Sequence, residues 1–113
     1  MIDFEKLTPK DVIDAYAAAG LWPVFKDFGD GVVKACALTA IVASKRDEID
    51  YEAYLNATEY SVDEVAEFLG MDCEVVLDFI LGFDGYPDGF TNRDIFEKGK
   101  AIAEAVEKEF IVF

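Results

Sequence analysis

The chain has 113 residues and a formal net charge of −14, with 24 acidic residues against 10 Lys and Arg and no histidine. Its 53% hydrophobic content is enough for one core, so residues 1–113 are predicted to form a single globular domain rather than a disordered acidic tail. Its longest uncharged apolar run, residues 35–43, is far below the roughly 20 residues of a membrane span, and the start lacks the basic and apolar regions of a secretory signal. We therefore predict a cytoplasmic protein with no membrane partner.

The first predicted helix is the one with the clearest boundary signals. Thr8 can cap the free amides, Pro9 suits the first helical position, and Asp11 can complete a capping box. Gly20 is a natural end. These residues predict a helix that starts after Thr8 and stops at Gly20.

The next three segments alternate between extended and helical patterns. Residues 21–28 are aromatic, β-branched and interrupted by Pro23, which predicts a short strand or an extended arm before a Gly-Asp-Gly turn. Residues 32–44 have few polar side chains and many alanines, which favours a helix buried on most of its circumference. Residues 47–56 carry an imperfect apolar stripe and are predicted to form a further short helix.

Two helices are predicted over residues 61–82, the first capped by Ser61 with Glu64 in a capping box. Ala66 is followed four residues later by Gly70 and, after six more, by Val76. In these positions the segment resembles a helix-turn-helix, a motif whose DNA-binding members place the second helix in the major groove. The geometry stays open between this motif and an αα-corner used only for packing, and DNA binding is not carried over.

DNA binding is rejected because affinity for phosphate depends on cations, and neither of these two helices carries Lys or Arg. Direct binding of nucleic acid is therefore not expected.

The last third of the chain is predicted to contain a loop, a long helix and an apolar end. Residues 82–89 are dense in Gly, Asp and Pro and predict a loop. Thr91 or Asn92 is expected to cap the final helix, whose alternating Lys and Glu are typical of a solvated face. Residues 110–113 are expected either to pack on the core beside residues 21–28 or to form a homodimer contact.

These elements predict a mainly α fold, a compact bundle of five to six helices with a possible short β element. Cys36 and Cys73 are interpreted as small buried side chains, because their spacing fits neither a zinc site nor a redox pair. Without histidine, a phosphate-binding loop or a nucleophile motif, we expect neither an enzyme nor a cofactor.

The distribution of charge is the strongest functional signal. Residues 47–92 contain 13 carboxylates and no Lys, Arg or His. Such a block repels polyanions and attracts cationic surfaces, which indicates a basic protein surface as the partner. The predicted partner-binding residues are Asp63, Glu64, Glu67, Asp72, Glu74, Asp78, Tyr60 and Tyr86.

In size and charge the chain resembles inhibitors that mimic DNA, including small phage anti-defence proteins. That resemblance implies a basic nucleic-acid-binding surface as the target, with carboxylates in place of phosphates.

Two alternatives stay open. Asp84 and Asp88 occupy the first and fifth positions of a sequence similar to part of an EF-hand loop, with Gly89 sixth, although Tyr86 and Ile95 replace two oxygen ligands. The first alternative is therefore a divalent-cation or small-ligand binding domain that uses this loop. The second is an acidic domain without mimicry, in which the charge only maintains solubility.

Overall fold

The described part of the chain, residues 2–111 of a computed structural model, contains six helices and two strands of two residues each. The prediction of a mainly α bundle with a short β element is confirmed. The Cα radius of gyration is 12.7 Å, against about 13 Å expected for a compact domain of this length. In chain order the elements are α1 (Pro9–Ala19), β1 (Trp22–Pro23), β2 (Lys34–Ala35), α2 (Ala37–Ala43), α3 (Tyr51–Thr58), α4 (Val62–Leu69), α5 (Cys73–Asp84) and α6 (Arg93–Ile111).

Helix α1 begins and ends as predicted. The Thr8 hydroxyl accepts a hydrogen bond from the Asp11 amide at 3.2 Å, and the Asp11 carboxylate accepts one from the Thr8 amide at 3.0 Å. Gly20 ends the helix in the left-handed region, with φ at 69°. The buried Tyr16 hydroxyl donates to the carbonyl of Ala35 at 2.8 Å, so α1 is tied to β2.

The two strands are parallel, with Trp22 opposite Lys34. The predicted strand or arm is therefore a strand at residues 22–23. Parallel strands need a crossover connection, and here residues 24–33, which we call the crossover loop, provide it without a helix.

The predicted helix over residues 32–44 is wrong at its start, because α2 begins only at Ala37. One oxygen of Asp30 accepts hydrogen bonds from the amides of Val32, Val33 and Lys34 at 2.9, 2.8 and 3.1 Å. These bonds fold the segment as a turn that leads into β2. From Ala37 onward the prediction holds, since every residue of α2 is buried.

Helices α5 and α6 cross closely through a pair of glycines. A Cβ on Gly82 would collide with the carbonyl of Phe96, and a Cβ on Gly99 would collide with the carbonyl of Phe79. Each helix therefore places its backbone where the other lacks a side chain. By contrast, a Cβ on Gly70 would meet nothing within 4 Å, so Gly70 serves the left-handed end of α4 at φ 68° and not a close helix crossing.

The predicted loop over residues 82–89 begins too early. Residues 82–84 belong to α5, because Gly82 lies at the helix crossing and both Phe83 and Asp84 are buried. Gly85 ends the helix with φ at 82°. The cap of α6 is Asn92, whose side-chain oxygen accepts hydrogen bonds from the amides of Asp94 and Ile95 at 2.9 and 3.3 Å.

The end of α6 packs on the core beside β1, one of the two predicted arrangements. The ring of Phe110 lies 6.0 Å from that of Trp22 and 5.4 Å from that of Tyr16, measured between centroids. Val112, Phe113 and the side chain of Ile111 lie outside the described residues, and the homodimer contact stays a prediction. Within residues 2–111 none of the helices combines the length and the hydropathy that crossing a bilayer requires.

Candidate functional site

Most carboxylates of the acidic block lie on the surface. Within residues 2–111 the one ion pair joins Lys10 and Asp14 at 2.8 Å, outside the block, so no base neutralises these acids by direct pairing. The exposed acids are Asp47, Glu48, Asp50, Glu52, Glu59, Asp63, Glu64, Glu67, Asp72, Glu74 and Asp88.

Three of the predicted binding residues meet where α4 and α5 begin. The thiol of Cys73 donates a hydrogen bond to Asp63 at 2.6 Å. That bond, with desolvation and the charges of Asp63, Asp72 and Glu74, raises the pKa of the Cys73 thiol to about 11. Cys73 is half-buried and its thiol is bonded to a carboxylate, which corrects its interpretation as a buried hydrophobic side chain.

Glu64 and Glu67 are exposed on the same helix as Asp63. We call Asp63, Glu64, Glu67, Asp72 and Glu74 the acidic cluster. Four of its members, all except Glu67, lie at the N-terminal ends of α4 and α5, where acids are favoured by the helix dipole. Asp72 also caps α5 by accepting a hydrogen bond from the Glu74 amide at 2.8 Å.

Asp78 does not belong to this surface, although the sequence predicted it there. Its side chain is 1% exposed. It accepts hydrogen bonds from the amides of Thr91 and Asn92 at 2.8 and 2.7 Å. Asp78 therefore fixes the segment that starts α6 and has a structural role.

Exposed rings lie beside the acidic cluster at both ends of α4. Tyr60, which precedes the cap of α4, is 79% exposed, and Phe68 near the end of the helix is 38% exposed. Phe68 was not among the predicted binding residues, because an apolar residue in a regular amphipathic helix is expected to be buried. Its signal is that it falls off the buried stripe formed by Val65, Ala66 and Leu69.

A cavity of about 560 Å³ lies between the crossover loop, the start of α2, the region where α3 gives way to α4, and α5. Small-molecule sites commonly have volumes of about 300–1,000 Å³. The buried lining residues include Cys36, Leu38, Phe79, Phe83 and Asp84, and the exposed ones include Lys26, Asp27, Glu59 and Tyr86. The sequence did not predict this cavity because its walls come from segments far apart in the chain.

Asp84 is the unusual group of the cavity. Its side chain is 7% exposed, and its Oδ1 atom has no hydrogen-bond partner. Burial raises the pKa of this carboxyl to about 6, assisted by the charge of Asp27 and opposed by the backbone amide and the charge of Lys26. The group can therefore change its charge near neutral pH.

The two candidate cation ligands of the sequence, Asp84 and Asp88, lie on different parts of the fold. Asp84 is the last residue of α5 and lines the cavity, whereas Asp88 is exposed on the connection to α6. Across residues 2–111 no group of three His, Cys, Asp or Glu side chains converges in a way that could hold a metal ion. Tyr86, a predicted partner-binding residue, is 43% exposed and lies at this cavity.

Comparisons of the chain with protein-family models, with curated proteins and with solved structures give no match.

Proposed function

We propose that this chain is an acidic interaction protein whose acidic cluster binds a basic surface of another protein. The observation that carries the proposal is the concentration of exposed carboxylates on α4 and the start of α5, none of which pairs with a base within the described residues. Paired carboxylates would have little charge to offer a partner. These remain available to Lys and Arg from outside.

Two properties of the acidic cluster support binding to a partner: its negative potential and the exposed aromatic rings beside it. Like charges held on two adjoining helices create a local potential that accelerates encounter with a positive cleft. Tyr60 and Phe68 add apolar area next to those charges, and aromatic side chains are enriched where interfaces gain most of their binding energy.

The finer proposal is mimicry of DNA. A protein channel that binds phosphates presents Lys and Arg at regular intervals, and carboxylates fixed on a rigid helical body satisfy the same cations. The chain would then act as a competitive inhibitor of DNA binding. Its net charge of −14 fits such a role and opposes binding to DNA itself.

The experiment measures binding of the purified chain to a panel of DNA-binding proteins with basic channels, with polylysine as a reference polycation, at about 20 mM and about 300 mM salt. A variant with a neutral cluster replaces all five members: Asp63→Asn, Glu64→Gln, Glu67→Gln, Asp72→Asn and Glu74→Gln. Asparagine remains a good helix cap, so the fold should be kept at Asp72.

A matched control also removes five negative charges, but from exposed positions outside the block: Glu5→Gln, Glu97→Gln, Glu104→Gln, Glu107→Gln and Glu109→Gln. We expect a complex that weakens steeply with salt, is lost in the neutral-cluster variant and is largely kept in the control. Displacement of labelled DNA from the partner would support mimicry, and binding without displacement would leave only the interaction. If no complex forms at low salt, or if both variants lose affinity equally, the cluster is not a binding site.

A further inference from the structure

The cavity at Asp84 is lined by apolar side chains around one buried carboxyl. We propose that it binds a small organic cation, a primary ammonium group carried on an apolar body. This inference concerns a surface different from the acidic cluster and goes beyond the proposed protein partner.

The apolar body is inferred from the buried wall of the cavity. Leu38, Phe79 and Phe83 line it, and all three are at most 2% exposed. Phe25 of the crossover loop stacks on Phe83 with ring centroids 4.8 Å apart, which helps to fix the Phe83 ring. Apolar walls with a few polar groups are typical of small-molecule sites, and aromatic faces also attract cations.

The positive charge is inferred from Asp84. A buried carboxylate oxygen without a hydrogen-bond partner is costly to keep, because burial removes it from bulk water and none of the described residues donates a hydrogen bond to it. A ligand N–H would supply the missing donor, and a charged donor would also balance the carboxylate. The other charged residues at the cavity are two acids, Asp27 and Glu59, and one base, Lys26, so the local balance favours a cation.

Other kinds of occupant fit less well. An anion would meet three carboxylates at the cavity and the negative field of the whole chain. A divalent cation such as calcium takes six to eight oxygen ligands, whereas the cavity offers a single buried carboxyl. An ammonium group needs only one strong acceptor, and the apolar remainder of the ligand fills the rest of the space.

Binding of a cation should depend on the ionisation of Asp84. Lys26 and Asp27 on the crossover loop interact electrostatically with this carboxyl, as do the buried Tyr16 and Cys36. The other titratable groups that line the cavity are Glu59 after α3 and Tyr86 after α5. An amine stays protonated throughout the weakly acidic range. Loss of affinity as the pH falls from about 7.5 to about 5 would therefore report protonation of the carboxyl.

The test uses three ligands of similar shape and different charge: tryptamine, the neutral alcohol tryptophol and the anion indole-3-propionate. Affinities are measured by calorimetry, and the site is located by amide chemical-shift changes in an NMR spectrum. The variants are Asp84→Asn and a matched control, Asp88→Asn, which removes the same charge four residues away at an exposed position that does not line the cavity.

At pH 7.5 we expect tryptamine to bind at one site and at least tenfold more tightly than tryptophol. Its chemical-shift changes should be confined to the lining of the cavity, on the crossover loop and over residues 36–38, 58–62 and 79–86. Indole-3-propionate should not bind. Asp84→Asn should lower the affinity for tryptamine about tenfold and remove its dependence on pH, while Asp88→Asn should change neither.

Equal affinities for amine and alcohol, or shifts spread over the acidic cluster, would overturn the proposal. If Asp84→Asn does not fold, the comparison of the three ligands with the unmodified chain decides alone. Binding of the basic protein partner should be unaffected by Asp84→Asn, so failure here leaves the proposed function standing.

Discussion

The stability of the fold should depend on the charge of Asp84, and replacing it by asparagine isolates that dependence. The folded chain holds this carboxyl with a pKa of about 6, above its ordinary value of 3.8, because it is buried. The folded state therefore binds the proton more tightly than the unfolded state does. Proton binding to Asp84 therefore stabilises the folded state. This stabilisation is fully present below about pH 3.8 and is lost as the pH rises through about 6.

The magnitude follows from the difference between those two values. Each pKa unit corresponds to about 1.4 kcal/mol, which gives an upper limit of about 3 kcal/mol. Asp84 lines a cavity large enough to admit water, and water reduces the cost of the charge. We therefore expect the unfolding free energy of the native chain, relative to Asp84→Asn, to fall by about 1–2 kcal/mol between pH 4 and pH 7.5.

The assay is urea unfolding followed by circular dichroism at pH steps across that interval, with free energies obtained by linear extrapolation. Other titrating groups are common to both proteins and cancel in the difference. Asp88→Asn controls for the change in net charge, because that side chain is exposed. If the difference between the native chain and Asp84→Asn stays constant with pH, or grows toward pH 7.5, Asp84 is not a buried carboxyl of raised pKa.

Two further predictions concern the helices that carry the cavity and the cluster. Gly82→Ala should lower the unfolding free energy by about 2 kcal/mol or more, because the new Cβ would collide with the α6 backbone. The control Gly70→Ala should lower it by only about 1 kcal/mol, the cost of its left-handed φ. Equal effects of the two variants in chemical denaturation would contradict the close crossing of α5 and α6. Asp78→Ala should cost about 3 kcal/mol, since it leaves the amides of Thr91 and Asn92 without their acceptor, and an effect below about 1 kcal/mol in the same assay would show that water replaces it.

Local signals in the sequence predicted the helix boundaries that depend on near neighbours. Thr8, Asp11 and Ser61 take part in helix capping through hydrogen bonds to residues three positions away. Four consecutive residues are therefore enough to predict these caps. The start of α2 was predicted too early because the apolar pattern begins at Val32, in a segment that leads into β2 and whose turn is held by Asp30. Pairing with a distant strand leaves little mark on local periodicity.

The candidate sites show the same division. The exposure of the acidic cluster agrees with what an amphipathic pattern predicts, because acids off the apolar stripe face water. Asp78 and Asp84 are also acids, and both lie in α5, but unlike the members of the acidic cluster they are buried. Their surroundings come from residues 91–92 and from the crossover loop, which only the assembled fold brings to them.

The paired glycines of α5 and α6 also determine how the cavity can respond to a ligand. Backbone packed on backbone has no side chain that could rotate out of the way, so the α5 wall should move only together with α6. Residues 26–29, another part of the lining, belong to a connection without regular secondary structure. A bulkier ligand would thus displace residues 26–29 more readily than it would displace α5.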